Sequence, residues 1–207
     1  MNENSYIGGA HLRPEERGFV MTALTRIQAT PLAWHQETDD PPAYTLRGQD
    51  GPVATLRFLP HQGTLALVET ADGSWTLLHR AFPADTVTLR EPGSRVDVAT
   101  YQPHPSGSGE LRFLSGDTFH WVPREGVEVG GVFLEAEGMP LVRLTVMPDR
   151  SHRLHVPGGT AVGAVEALPP HHHHAGSALL AAIGWYLLQV EGMKEHPARA
   201  AETSMRL

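Results

Sequence analysis

The chemistry this sequence could most readily support lies in its thirteen histidines. Neutral imidazole is the commonest metal ligand, but a metal site needs three or four ligands converging in a defined geometry. His171–His174 form an unbroken tract that would take a divalent metal or sense pH if exposed, as any flexible histidine run does; a polar connector into the following helix is the reading favoured. His152 and His155 stand three apart on an expected strand, so they face opposite sides and cannot chelate together. His79, His104 and His120 fall near expected strand ends, where a surface role is sufficient explanation. No metal set and no cofactor follow from these positions. The absence of cysteine removes thiolate zinc sites, disulfides and a cysteine nucleophile.

Acid–base chemistry has two carboxylate pairings to draw on, Asp117 near Glu110 and Glu135 with Glu137. On strands, residues two apart share one face, and such pairs are usually solvated, not catalytic. There is no Gly-x-Ser-x-Gly elbow, no His-Glu-x-x-His helix, no phosphate-binding P-loop and no dinucleotide fingerprint. The glycine-rich stretch Pro105-Ser-Gly-Ser-Gly-Glu110 has none of these spacings and reads as a hairpin loop. No catalytic residue is assigned. Trp34, Trp75 and Trp121 could line a ligand groove, but each sits at or beside an apolar strand position, which favours core packing. If Trp185 and Tyr186 are buried, their indole N–H and phenol need partners at a barrel mouth or loop.

The elements that would carry these residues are short. Twenty-one Gly and seventeen Pro interrupt the chain, and long helices are not expected before residue 175. Twelve strand-like segments run from Tyr44–Arg47 to Thr160–Ala167, rich in Val, Thr, Leu and aromatics and bounded by turn dipeptides such as Asp50-Gly51 and Asp72-Gly73. About twelve short strands at this spacing predict a barrel or a sandwich, the barrel being favoured because it leaves no open edge. Residues 44–60 and 132–148 also align without a gap. Leu46/Leu134, Pro52/Pro140, Leu56/Leu144 and Pro60/Pro148 coincide, and Trp34 and Trp121 precede the two copies at nearly the same offset. The alignment suggests a duplicated strand–turn–strand unit and a pseudo-symmetric fold; coincidence in a proline-rich β protein is the alternative.

The character changes at Pro169-Pro170-His171-His172-His173-His174. The segment after it predicts a helix from Ser177, its N-cap, to a stop at Gly192 or Pro197. Leu179, Leu180, Ile183, Trp185, Tyr186, Leu187, Leu188 and Val190 surround its axis with no polar stripe. A helix apolar on every side is either buried in protein or in a membrane. Residues 177–190 would span only about 21 Å at 1.5 Å per residue, against the roughly 30 Å of a bilayer core. A core helix is expected and no transmembrane span. The domain organisation is then a polar arm over 1–19, a β domain over 20–168, a Pro/His linker over 169–176, the core helix of that domain over 177–192 and a polar tail over 193–207.

A β-barrel of about twelve short strands with a late, wholly hydrophobic helix resembles the tubby-like superfamily, which includes the phospholipid-scramblase-like proteins. The residues carrying the resemblance are Leu179-Leu-Ala-Ala-Ile-Gly-Trp-Tyr-Leu-Leu188, the Tyr44…Asp50-Gly51-Pro52…Leu56 hairpin, and Trp75 and Trp121 at strand positions. The resemblance covers about residues 20–192. It implies a barrel filled by its own helix, and so no large central ligand cavity.

A formal net charge of −7 disfavours a phosphate backbone as partner, and no Lys/Arg run overrides that sign. The polar N-terminus, Met1 to Gly18, has no apolar h-region, and the expected compartment is the cytoplasm. The function expected is a soluble, non-enzymatic binding or scaffold domain of tubby-like architecture, which could lie peripheral to a membrane, with a small molecule, lipid or protein as its unidentified partner. Two alternatives stay open: a hydrolase or isomerase with a loop-built His/carboxylate site, and a carbohydrate- or peptide-binding sandwich using exposed Trp.

Overall fold

The protein is described by a computed structural model covering residues 32–82, 84–126, 129–147, 155–156, 159–168 and 176–195. Its strands are β1 (Leu32–Asp39), β2 (Pro42–Gly48), β3 (Gly51–Phe58), β4 (Ala66–Thr70), β5 (Gly73–Arg80), β6 (Thr86–Arg90) and β7 (Asp97–Pro103). They continue with β8 (Gly109–Phe113), β9 (Thr118–Arg124), β10 (Gly130–Glu135), β11 (Pro140–Val146), β12 (His155–Val156) and β13 (Gly159–Ala167), followed by the helix α1 (Ser177–Glu195). β1 to β11 pair each with the next, β11 pairs with β13, and β13 pairs with β1, all antiparallel. Twelve strands thus close a barrel, and the two-residue β12 is a short hairpin partner of β13. The choice between barrel and sandwich is decided by the β1–β13 closure, in which Trp34 lies opposite Gly163. β1 was not among the expected strands. Its two buried side chains, Leu32 and Trp34, are followed by the polar run His35–Asp40, which leaves too little alternation to register as a strand.

α1 fills the barrel. Every residue from Ser177 to Tyr186 is buried, so all sides of the helix are covered over its first ten residues. It packs against β3, β4, β5, β10 and β11. Trp185 stacks on Trp34 of β1 with ring centroids 5.6 Å apart, and Tyr186 stacks on Phe58 of β3 at 5.7 Å. Gly184 lets the helix approach the wall: a Cβ there would stand 2.8 Å from Leu144 and 3.1 Å from the rings of Phe133 and Trp121. The Gly176 carbonyl accepts the first helical bond from Leu180 N–H at 2.9 Å, so Ser177 is the first helical residue and not the cap. The helix runs three residues beyond Gly192 and ends shortly before Pro197, the later of the two expected stops. The arm over 1–19, the linker residues 169–175 and most of the tail lie outside the described residues.

The hairpins expected around Pro52 and Pro140 are β2–β3 and β10–β11, and each carries one bulge. Leu46 faces Ala54 and Arg47 faces Pro52, leaving Val53 extra; Phe133 faces Val142 and Leu134 faces Pro140, leaving Leu141 extra. The gap-free alignment therefore holds for β3 with β11 and slips by one residue for β2 with β10. Leu46 is buried while Leu134 lies on the opposite, half-buried face, and Phe133 takes the place of Leu46 in the core. The second turn, residues 135–139, is one residue longer than the first, residues 48–51. A third hairpin has the same bulge: Leu89 faces Ala99 and Arg90 faces Asp97, with Val98 extra. Its sequence, Val87-Thr-Leu-Arg90 and Val98-Ala-Thr100, echoes Tyr44-Thr-Leu-Arg47 and Val53-Ala-Thr55. The three hairpins recur every fourth strand around the ring. On the strand preceding each hairpin, Trp34, Leu77 and Trp121 stand opposite Leu46, Leu89 and Phe133.

Candidate functional site

Two polar clusters stand out among the described residues, one at a barrel mouth and one on the outer wall. The mouth is the end where α1 finishes. Tyr186 Oη donates to the Thr64 carbonyl at 2.8 Å, and Thr64 Oγ1 donates to the His79 carbonyl at 3.3 Å. His79 Nε2 lies 2.5 Å from Asp85 Oδ1, and Gln102 Nε2 donates to the Asp85 carbonyl at 3.0 Å. Tyr44 Oη donates to Gln189 Oε1 of the helix at 2.9 Å. Burial pushes the Tyr44 phenol up to about 12, with the charge of Asp39 adding to it. Burial likewise raises Tyr186 to about 12 against the opposing bonds to Thr64 and the His79 backbone. Tyr101 is raised by burial first and then by the charges of Glu191 and Asp85. All three phenols are therefore neutral at ordinary pH. Tyr44 and Tyr186 act as donors that fasten the helix to strands and loops. His79 with Asp85 is a histidine–carboxylate pair of the kind a general base would need. Its imidazole side chain is only 11% exposed, and the pair ties the β5–β6 connection to β5.

The outer wall carries the second cluster. Thr100, Gln102, His104, Glu110 and Arg112 line a depression of about 260 Å³ across β7 and β8. Strand pairing places Gln102 opposite Glu110, Glu110 opposite His120, and Thr100 between Thr88 and Arg112. The bond from Arg112 holds the Glu110 carboxyl below the usual range, aided by the charges of His120 and His104. An ionised carboxylate already paired to a guanidinium is a poor proton donor or acceptor, so this depression is suited to polar binding rather than to acid–base work. Thr88 Oγ1 in the same row is buried with no partner among the described residues.

The residues singled out by sequence fall mostly outside both clusters. Trp34, Trp121 and Trp185 are buried in the core and Trp75 packs half-buried against it, so none lines an open groove. Tyr186 finds the expected partner at the mouth. Trp185 does not: its indole N–H and that of its stacking partner Trp34 have no acceptor among the described residues. Asp117 accepts a bond from Ser115 Oγ at 2.7 Å within the β8–β9 turn, while Glu110 belongs to the wall cluster, so the two carboxylates do not form a unit. Glu135 ends β10 and Glu137 is exposed on the turn beyond it. His79 joins the mouth; His104 and His120 flank Glu110. His155 lies on β12, and His152 and His171–His174 lie outside the described residues. No group of three or more His, Asp or Glu among the described residues could hold a metal ion, and no helix there is long and apolar enough to cross a membrane. Asp85, Tyr101, Gln102 and Arg112 were not anticipated. Each is an ordinary strand or loop residue, and only the register between strands brings them to their partners.

No family model matches the chain, and neither a curated protein nor a solved structure does.

Proposed function

We propose that this chain is a non-enzymatic binding domain that meets its partners on its outer wall and turns. The observation carrying this reading is the plugged interior: α1 and the side chains around it occupy the space where an open barrel such as a lipid carrier would hold its ligand, which leaves the outer surface for binding. The wall depression at Thr100, Gln102, His104, Glu110 and Arg112 is the first place to look for a small polar ligand. A thermal-shift screen of small polar compounds tests this, run on the wild type and on Arg112→Ala. Compounds that raise Tm only when Arg112 is present support the reading. Turnover of ester, glycoside or phosphoester test substrates that disappears in His79→Ala would overturn it and move the function to the mouth.

The architecture reads as tubby-like. What supports that assignment is the combination of a closed twelve-stranded antiparallel barrel with a C-terminal hydrophobic helix inside it. What supports an internal repeat is the bulge recurring at Val53, Val98 and Leu141, together with the shared Thr-Leu-Arg and Val-Ala-Thr segments of the first two copies. The reading that fits both is three copies of one four-stranded meander, in place of the two copies suggested by the gap-free alignment.

A further inference from the structure

The turns at the end of the barrel where the chain passes from β13 to α1 carry side chains that turn formation does not require. Tight turns favour Gly, Pro, Asn, Asp and Ser. Val96, Leu114 and Met139 are 58%, 75% and 43% exposed at the β6–β7, β8–β9 and β10–β11 turns, three successive turns of this rim. These turns are neighbours. Leu114 N–H donates to the Val98 carbonyl at 2.9 Å, and Phe119 pairs with Glu135, which sets the β8–β9 and β10–β11 turns side by side. Each turn also presents an exposed carboxylate: Glu91, Asp117 and Glu137, set against Arg95. Around the rest of the rim, Asp50 and Asp72 are exposed on the β2–β3 and β4–β5 turns. Single exposed hydrophobic residues are ordinary. Three on adjoining turns, within an acidic rim, form a composite surface.

We propose that this apolar patch docks a basic segment of a partner protein, in which apolar side chains alternate with Lys or Arg. The apolar side chains would cover Val96, Leu114 and Met139 while the cations meet Glu91, Asp117 and Glu137. Charge selects this occupant over the others. An anionic membrane would be repelled by the same carboxylates, and a second copy of this chain, itself at −7, would bring like charge to like charge. The inference rests on the binding-domain reading and names the chemistry of one partner.

The test uses the full chain and a synthetic peptide of alternating Leu and Lys, with a Glu-for-Lys peptide as control, read by fluorescence anisotropy. The basic peptide should bind, weaken as salt rises, and lose affinity by about tenfold or more in the Leu114→Ser/Met139→Ser double variant, as expected when central apolar anchors are removed. The acidic control should not bind. Because both residues are exposed, the variant should keep its fold, and circular dichroism checks this. Equal affinity for the variant overturns the proposal, since binding would then be generic charge attraction. Binding to anionic vesicles, or self-association, that is lost in the same variant overturns it as well by giving the patch another occupant. Any of these results leaves the substrate-turnover assay untouched, so failure here and failure of the binding-domain reading are told apart.

Discussion

Glycine and tyrosine decide more at the level of single residues than the conspicuous histidines do. Gly131 and Gly163 lie under the Trp121 and Trp185 rings, and a methyl group at either would overlap the indole. Gly131→Ala is expected to cost about 1–3 kcal/mol through overpacking, seen as a lower urea midpoint. Gly192 is exposed on α1, and a methyl group there would meet nothing within 4 Å. It should respond in the opposite sense: Gly192→Ala removes backbone entropy from the unfolded chain and should stabilise by up to about 1 kcal/mol. The tyrosines set the alkaline limit. Tyr44 and Tyr186 ordinarily titrate at 10.0 and are raised to about 12 in the fold, so below 10.0 both states are protonated and their contribution is fully present. As pH rises above 10.0 the unfolded chain ionises first, and stability falls until the folded phenols ionise too. Tm should therefore drop between pH 10.0 and about 12, and Tyr44→Phe should drop less steeply. An unchanged slope in that variant would mean that Tyr44 is not held neutral by burial.

Among the elements, α1 has no free face over its first ten residues, and substitutions there are expected to act on the whole fold. Ile183→Asp would bury a carboxylate with no partner and should abolish soluble expression. Leu187 is only partly buried, so Leu187→Ala should cost about 1–2 kcal/mol, less than the roughly 2–5 typical of a fully buried leucine. Chemical denaturation measures the second, and a loss as large as that of a core leucine would place Leu187 deeper than it lies here. The helix was legible from residues because its apolar run has no stripe and is too short for a bilayer, two facts that need no tertiary information. The strands from β2 onward were legible from alternation and turn chemistry. β1 was not, since Glu37, Thr38 and Asp39 give it a polar, exposed end and its place is fixed by pairing to β13, far away in the chain. The third bulged hairpin escaped because its turn, residues 91–96, is longer than its counterparts and breaks any gap-free alignment. The wall cluster escaped for a related reason: Thr100, Glu110 and His120 come together through register across three strands, which no local spacing encodes.

For the whole molecule, the described residues contain no metal cluster, and the core is a single apolar body joining wall and helix. Chelator should leave the Tm of the full chain unchanged; a fall of many degrees would point to the His171–His174 tract. Removing the chain from Ser177 onward should unfold the barrel, because the inward faces of β3, β4, β5, β10 and β11 would lose the surface they cover. A truncated chain that melts cooperatively as a monomer would show that the helix is dispensable to the core. The order of synthesis gives the plugged barrel a further property. The bond from Tyr44 to Gln189 joins residues 145 apart, and the interior is completed by the last described element. At about 5–20 residues per second, a ribosome needs roughly 7–30 s between those two residues. Throughout that interval the nascent strands carry apolar faces with no helix to meet them, so this chain should lean on chaperones during translation and acquire its stability only once α1 has been made and can enter the barrel.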